Sequence, residues 1–202
     1  MKPQSIIVNL RGTSGSGKTT AVRNILRRWP TTPAELAPNR RKETPLVYKT
    51  KIPGKLPLFV FGSYENVCGG CDGISDYAEV VPALLQKYSP LGHILFEGML
   101  ISGSYGKIGL ALAEQERKGC EVYFSVLDTP LEVCIKRVQA RRDARGDTRP
   151  YNPKNLIDKH KSSERILLKI AGEYHHNTSH IDHTHPATDV MKLFGVPYAI
   201  KR

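Results

Sequence analysis

The chain has 202 residues, 40% hydrophobic and 24% charged, which suits one well-buried α/β domain and is short for two. No apolar run approaches the ~20 residues of a membrane span, and the apolar start is too short for a signal-peptide core, so a cytoplasmic protein is expected. The 30 Lys and Arg against 19 Asp and Glu leave a net charge of +11, which suits a polyanionic partner such as DNA or RNA; on charge alone, a solvated basic surface fits as well.

In chain order, Ile6-Ile7-Val8-Asn9-Leu10 predicts a strand over 5–10 and is followed by Gly12-Thr13-Ser14-Gly15-Ser16-Gly17-Lys18-Thr19-Thr20. Val22, Ile25, Leu26 and Trp29 then fall on one face of a helix over 18–29. Strand, glycine loop and helix form the context in which G-x-x-x-x-G-K-[ST] acts as a phosphate cradle. The glycines admit backbone angles that a β-carbon forbids, and successive N–H groups face the anion at the positive helix end. Lys18 is expected to reach the β- and γ-phosphates of a nucleoside triphosphate, and the Thr19 hydroxyl to ligate Mg²⁺.

Pro30, Pro33, Pro38 and Pro45 frame a polar connection that cannot be regular helix, and Arg40-Arg41-Lys42 adds a short basic run. Leu46-Val47-Tyr48 and Leu58-Phe59-Val60-Phe61 are either a hairpin or a strand and an edge strand. A glycine loop over 62–73 precedes Asp76-x-x-Glu79, a capping-box pattern, and an apolar stripe from Tyr77 to Tyr88, where Pro82 predicts a kink or a later start. A buried-strand pattern over 92–98 ends on Glu97. Then come a helix near 108–118, a strand over 121–127, a helix from Pro130 to about 142, a loop, a helix over 153–170, a strand near 179–183 and a helix near 187–194. Alternating strands and helices predict an α/β fold: a mostly parallel five-stranded sheet covered on both faces. The organisation expected is one domain over 1–202, with an acceptor-side insertion at 31–75 and a lid at 141–152.

Glu97, after four apolar residues, is expected at the carboxyl end of a strand, where open parallel sheets bind ligands. It is the candidate partner of Thr19 at the metal, or a base. Lys136-Arg137 and Arg141-Arg142-x-x-Arg145 end a helix and enter a loop. Arg137, Arg141 and Arg145 are candidates for a lid whose guanidinium groups bridge phosphoryl oxygens, Arg141 and Arg145 one helical turn apart. Cys68-Gly-Gly-Cys71 has zinc or redox spacing, but Cys120 and Cys134 form no second pair, so free thiols are the reading adopted. His175, His176, His180, His183 and His185 straddle a helix end, a strand and a turn, which does not favour a shared metal.

With these motifs in place, the chain resembles the P-loop nucleoside and nucleotide kinases. The likeness rests on Gly12 to Thr19, the strand ending in Glu97-Gly98, the arginines after the fourth strand and the Ile181-Asp182-x-Thr184-x-Pro186 segment. The Asp-Arg-Tyr/His motif of thymidylate kinases and the Asp/Glu-Arg-Ser element of deoxynucleoside kinases are both missing. Within the superfamily the chain is most similar to the phage branch acting on 5-hydroxymethyluracil in DNA. That resemblance implies transfer of phosphate from ATP to a base hydroxymethyl group, as a step toward hypermodified thymidine. A kinase of a free nucleotide or nucleoside, and a nucleic-acid-binding ATPase or switch, are the alternatives.

An alcohol acceptor needs a general base. Asp72, between glycines and with no local capping role, is the first choice; Asp76 is second because it has a helix to cap. Tyr64 and Tyr105, in glycine-rich loops, are the candidate stacking surfaces for a flipped or single-stranded base. Lys154, Lys159, Lys161 and Arg165 are candidates to track a DNA backbone.

Overall fold

The computed structural model describes residues 4–37, 44–65 and 69–197. The run Arg40-Arg41-Lys42 and Cys68 lie outside these residues.

Seven strands make one sheet: β1 (Ile6–Arg11), β2 (Thr31–Leu36), β3 (Pro45–Thr50), β4 (Leu58–Phe61), β5 (His93–Glu97), β6 (Glu121–Asp128) and β7 (Thr178–Asp182). Their order is β2-β3-β4-β5-β1-β6-β7. From β4 to β7 every pairing is parallel, while β3 is antiparallel to both β2 and β4. The expected five strands are therefore too few. The parallel core has that number, and two further strands extend it on one side. β2 escaped the hydrophobic pattern because it is the outer edge and largely exposed. An edge strand has no need of alternating apolar residues and tolerates Pro33, next to which the register shifts. Of the two arrangements open for β3 and β4, the structure has an antiparallel pair, with β3 internal.

Seven α-helices lie among the described residues: α1 (Lys18–Arg28), α2 (Tyr77–Tyr88), α3 (Met99–Ser102), α4 (Gly106–Arg117), α5 (Leu131–Asp143), α6 (Lys154–Gly172) and α7 (Pro186–Leu193). Side chains alternate across the central strands. Ile7, Ile94 and Phe96 face a core closed by α2 and α4 through Val81, Leu84, Leu85, Ile108 and Leu112. Val8, Leu10 and Leu95 face the other core, closed by α1 and α7 through Val22, Ile25, Val190, Met191 and Phe194. With both faces covered, β5 is buried throughout, as a central parallel strand must be. No helix among the described residues is long and apolar enough to cross a membrane.

Two local expectations change. α2 starts ahead of Pro82 and runs through it. The capping box is not made: Asp76 stands at the N-cap in the left-handed region, φ 51°, and its side chain makes no cap bond. Glu79 pairs with Lys107 of α4 instead.

Candidate active site

The loop between β1 and α1 sits at the carboxyl edge of the parallel core. Gly17 is the N-cap of α1 with a left-handed φ of 106°. Gly15, φ 85°, has no room for a side chain, since a β-carbon there would lie 2.6 Å from the Cys134 carbonyl oxygen of α5. The loop thus rests directly on α5. Thr129 Oγ1 donates to the Ser16 carbonyl at 2.8 Å. Lys18 is buried and its Nζ donates to the carbonyls of Gly12 at 2.7 Å and Thr13 at 3.1 Å. Desolvation lowers its pKa, and the nearby Glu97 carboxylate opposes that shift.

α5 delivers two arginines to the loop, four residues apart and so on one face. Arg137 Nη1 donates to the carbonyls of Gly15 and Ser16 at 3.2 and 3.3 Å, and Arg141 Nη2 to Ser14 Oγ at 3.1 Å. Arg145 lies beyond the end of α5 and does not line the cleft in front of the loop. The one-turn spacing from Arg141 to Arg145 assumed a helix that continues, whereas α5 stops at Asp143. The following loop is tied to the helix end by Arg142, which pairs with Asp147 at 3.1 Å and donates to the Arg149 carbonyl at 2.9 Å. Arg149 also bonds Asp147 and holds its carboxyl down at about 2.

Glu97, the last residue of β5, is 1% exposed, and its Oε1 accepts from Thr19 Oγ1 at 2.8 Å. The pairing brings the ends of two neighbouring strands' connections together across 78 residues. Burial pushes the carboxyl up to about 7; Lys18 and the Thr19 hydroxyl oppose the shift, and Asp72 adds to it. Gly70 lies against this acid, φ 85°, where a β-carbon would fall 2.5 Å from Glu97 Oε1. Only glycine fits such an approach with that backbone angle.

Asp72 follows in a single 3₁₀ turn, Cys71–Gly73, and is exposed at the cleft. It does have a capping role, though not a local one. Its Oδ2 accepts from the Met99 amide at 2.7 Å and its Oδ1 from the Leu100 amide at 3.1 Å, closing the start of α3. No sequence spacing exposes a cap 27 residues away. The other end of α3 is held by Arg11, which is 2% exposed. Its Nη2 donates to the carbonyls of Ile101, Ser102 and Ser104 at 2.6, 3.0 and 2.7 Å, and its Nη1 to Asn9 Oδ1 at 2.8 Å. Burial brings this guanidinium down to about 10. Ser102 Oγ accepts from the Gly12 amide at 3.1 Å, tying α3 to the start of the glycine loop.

The cleft encloses about 730 Å³. Ser14, Gly15, Gly17, Lys18, Thr19 and Thr20 form its floor, with Arg137 and Arg141 on one side and Gly69, Asp72, Glu97 and Met99 on the other. Asp76 is not part of it. Arg23 and Asn24 of α1 and His183, Thr184 and Pro186 before α7 complete the wall. Arg23 and Asn24 were readable as the positions three and four beyond Thr20, on its face of the helix. Met99 and Arg11 carried no comparable signal. Neither aromatic candidate lines the cleft: Tyr64 is buried with its hydroxyl on the Phe61 carbonyl, and Tyr105 stacks on Tyr174 and bonds His176. His176 also contacts Glu116 at 2.6 Å, and His180 contacts Asp128 at 3.2 Å. Among the described residues no three His, Cys, Asp or Glu converge as a metal cluster. Cys71 is buried beneath the 3₁₀ turn, and burial raises its thiol well above the usual range.

A triphosphate loop at the edge of a parallel sheet, with arginines arriving from the next helix, is the plan of a P-loop kinase, the class to which the fold and the loop assign the chain. Known proteins narrow it. A 5-hmdU DNA kinase of Pseudomonas phage PaMx11 is 36% identical over 165 residues, covering 81% of this chain and 84% of that one. A 5-hmdU DNA kinase of Pseudomonas phage M6 is 28% identical, covering 82% and 86% respectively. For 5-hmdU DNA kinase 1 of Salmonella phage ViI the identity is 29%, with 65% and 57% covered. No family model matches the chain. The chain belongs to the 5-hmdU DNA kinase family, whose members take phosphate from a nucleotide donor.

Proposed function

We infer that the protein transfers the γ-phosphate of ATP to the hydroxymethyl oxygen of 5-hydroxymethyluracil in DNA, a step toward thymidine hypermodification in the cytoplasm of an infected host. The observation that carries the reading is the convergence of Lys18, Thr19, Glu97, Arg137, Arg141 and Asp72 on one cleft, in a chain whose relatives bear that name. The net charge of +11 fits a DNA acceptor.

In this reading the hydroxymethyl oxygen forms the new P–O bond as the β,γ-bridging bond breaks, and ADP leaves. Asp72 takes the proton; its two backbone bonds hold the carboxylate in one orientation at the cleft. Gly12, Thr13, Ser14, Gly15, Ser16, Gly17 and Thr20 cradle the phosphates. Lys18, Arg137 and Arg141 offset the charge that develops on the transferred group, and Arg145 belongs to a lid over 141–152. The region 31–75 serves the acceptor side of a single domain. Thr19 and Glu97 present a hydroxyl and a carboxylate 2.8 Å apart, a hard-oxygen pair suited to Mg²⁺ and its water shell. Mg²⁺ supplies charge neutralisation at the phosphates when bound.

A second reading has Glu97 as the base, favoured by its pKa of about 7, close to the value best suited to proton transfer at neutral pH. Asp72→Asn and Glu97→Gln separate the two: the base variant loses kcat at saturating Mg²⁺, while the metal variant recovers activity as Mg²⁺ is raised.

The reaction is tested with γ-labelled ATP offered with hydroxymethyluracil DNA, plain DNA, free nucleotides and free nucleosides. Label on the modified base after digestion is the expected result. Label only in a mononucleotide or nucleoside would reassign the acceptor, and hydrolysis stimulated by plain DNA without a labelled product would make the protein an ATPase.

A further inference from the structure

α3 is a four-residue helix fastened far more firmly than its length requires. Asp72 holds its first two amides, Arg11 holds carbonyls at its far end, and Ser102 ties it to Gly12. Its packing is carried by Ile101, which is 1% exposed. Leu100 is 43% exposed and adds little to the core. Successive residues of a helix point about 100° apart. Met99 lines the cleft, so Leu100 leaves the helix beside the cleft, toward solvent. Of the large apolar side chains exposed among the described residues, Leu36, Leu91, Leu110, Leu168 and Tyr174 are the others, and none of them borders Met99 in sequence. The surroundings carry both signs: Asp72 holds the Leu100 amide at 3.1 Å, Lys159 of α6 reaches Met99 Sδ at 3.9 Å, and Arg23 lines the same cleft.

We propose that Leu100 is a wedge that enters duplex DNA and occupies the place of the target base when that base swings into the cleft against Met99. The proposal rests on the DNA-kinase reading and adds how the acceptor is reached. A base hydroxymethyl group inside a duplex cannot approach a phosphate buried in a cleft, so the nucleotide must leave the stack. Apolar side chains inserted between base steps partially unstack them and occupy the opened space, and a wedge on an element already held in place has less conformational freedom to lose on insertion. The clamps on α3 hold it in place. The aromatic platforms anticipated at Tyr64 and Tyr105 are engaged elsewhere, while Met99 lines the cleft and Leu100 follows it on α3.

Leu100→Ala, compared with the parent protein on one oligonucleotide carrying a single hydroxymethyluracil, tests the idea. The strand is offered alone, in a matched duplex, and in a duplex with an abasic site opposite the target. The expected result is a loss in kcat/KM of about tenfold or more on the matched duplex, within about twofold on the single strand, and an intermediate loss opposite the abasic site. A 2-aminopurine beside the target should brighten with the parent protein on the duplex and respond less with Leu100→Ala, without ATP. Equal losses on single strand and duplex, no loss on the duplex, or a parent protein active on single strands alone would each overturn the wedge and leave the kinase reading standing. A dimer of the parent protein that Leu100→Ala converts to monomer would assign the side chain to a second copy and overturn it too. A parent protein that labels neither form of DNA would overturn the kinase reading itself.

Discussion

The two halves of the cleft are built by different means. The donor half is assembled almost entirely from one stretch, residues 12–20, backed by one face of α5. Its geometry follows from consecutive residues: a glycine seated on α5, an N-cap glycine and a lysine buried under its own loop. The half proposed to receive the acceptor has no such continuity. Asp72 comes from a turn after β4, Met99 from α3, and the clamp at the far end of α3 from Arg11 on β1. Its geometry is a product of tertiary contacts, so a single substitution there is expected to disturb position as well as chemistry.

Lys18→Ala should give the largest effect, a fall in kcat of about 10³-fold or more, because in the proposed reading it removes a charge that stabilises the transferred phosphate. Steady-state transfer to hydroxymethyluracil DNA is the measurement, with melting temperature as the check on folding. Retention of more than about a tenth of the activity would mean that the arginines, not Lys18, dominate the donor half.

Glu97 joins the halves, and its energetics can be read from stability against pH. Its folded-state pKa, about 7, stands above the ordinary 4.5. Protonation therefore favours the folded state: the contribution is fully present below about 4.5 and is lost as pH rises through about 7. The span is on the order of 3 kcal/mol. Denaturant midpoints of the parent protein without Mg²⁺ should fall across that window relative to Glu97→Gln, which cannot ionise. Parallel curves for the two proteins would show that the carboxylate is already compensated in the fold.

On the acceptor side, Asp72→Asn should reduce kcat about 10²-fold with the KM for ATP little changed. A merely structural Asp72 gives another signature: near-normal kcat at low temperature, with a stability loss of about 1 kcal/mol from a weakened cap. The two losses are separable because the bonds of Asp72 to α3 show in stability, whereas the proposed proton transfer shows in kcat.

What was legible follows the same division. Gly12 to Thr20 and the strand ending at Glu97 were readable because their determinants are local: a motif, an apolar run, a terminal acid. The arginines of α5 were readable as candidates, but which of them reach the loop depended on where the helix stops, and Asp143 carries no strong stop signal. The outer strands were undercounted because edge position relieves β2 of the apolar alternation by which strands are recognised. Asp72 was singled out partly for lacking a local cap role, and the cap it does make, on a helix start 27 residues away, is beyond any local spacing. Tyr64 looked exposed in a glycine-rich loop but is buried against Tyr48, because the loop folds back so that Ser63 pairs with Gly70.

The smallest effects lie in the arginines, where they sharpen the comparison by testing how far the donor half extends. Arg141 bonds the loop through Ser14 and lines the cleft, whereas Arg145 lies beyond the end of α5 and outside the cleft lining. Losing a charge-assisted contact to a phosphate costs about 1.5–3 kcal/mol, so Arg141→Ala should lower kcat/KM for ATP roughly 10- to 100-fold. An Arg145→Ala loss within about twofold, the effect of an exposed charge outside a site, would overturn the lid proposed over 141–152. A lid that swings over bound ATP gives the opposite result: Arg145→Ala then falls with Arg141→Ala, and the gap between them narrows as ATP saturates. Measuring both at low and saturating ATP therefore separates a donor half preformed by α5 from one completed by motion of the loop that Arg142 and Asp147 now hold to the helix end.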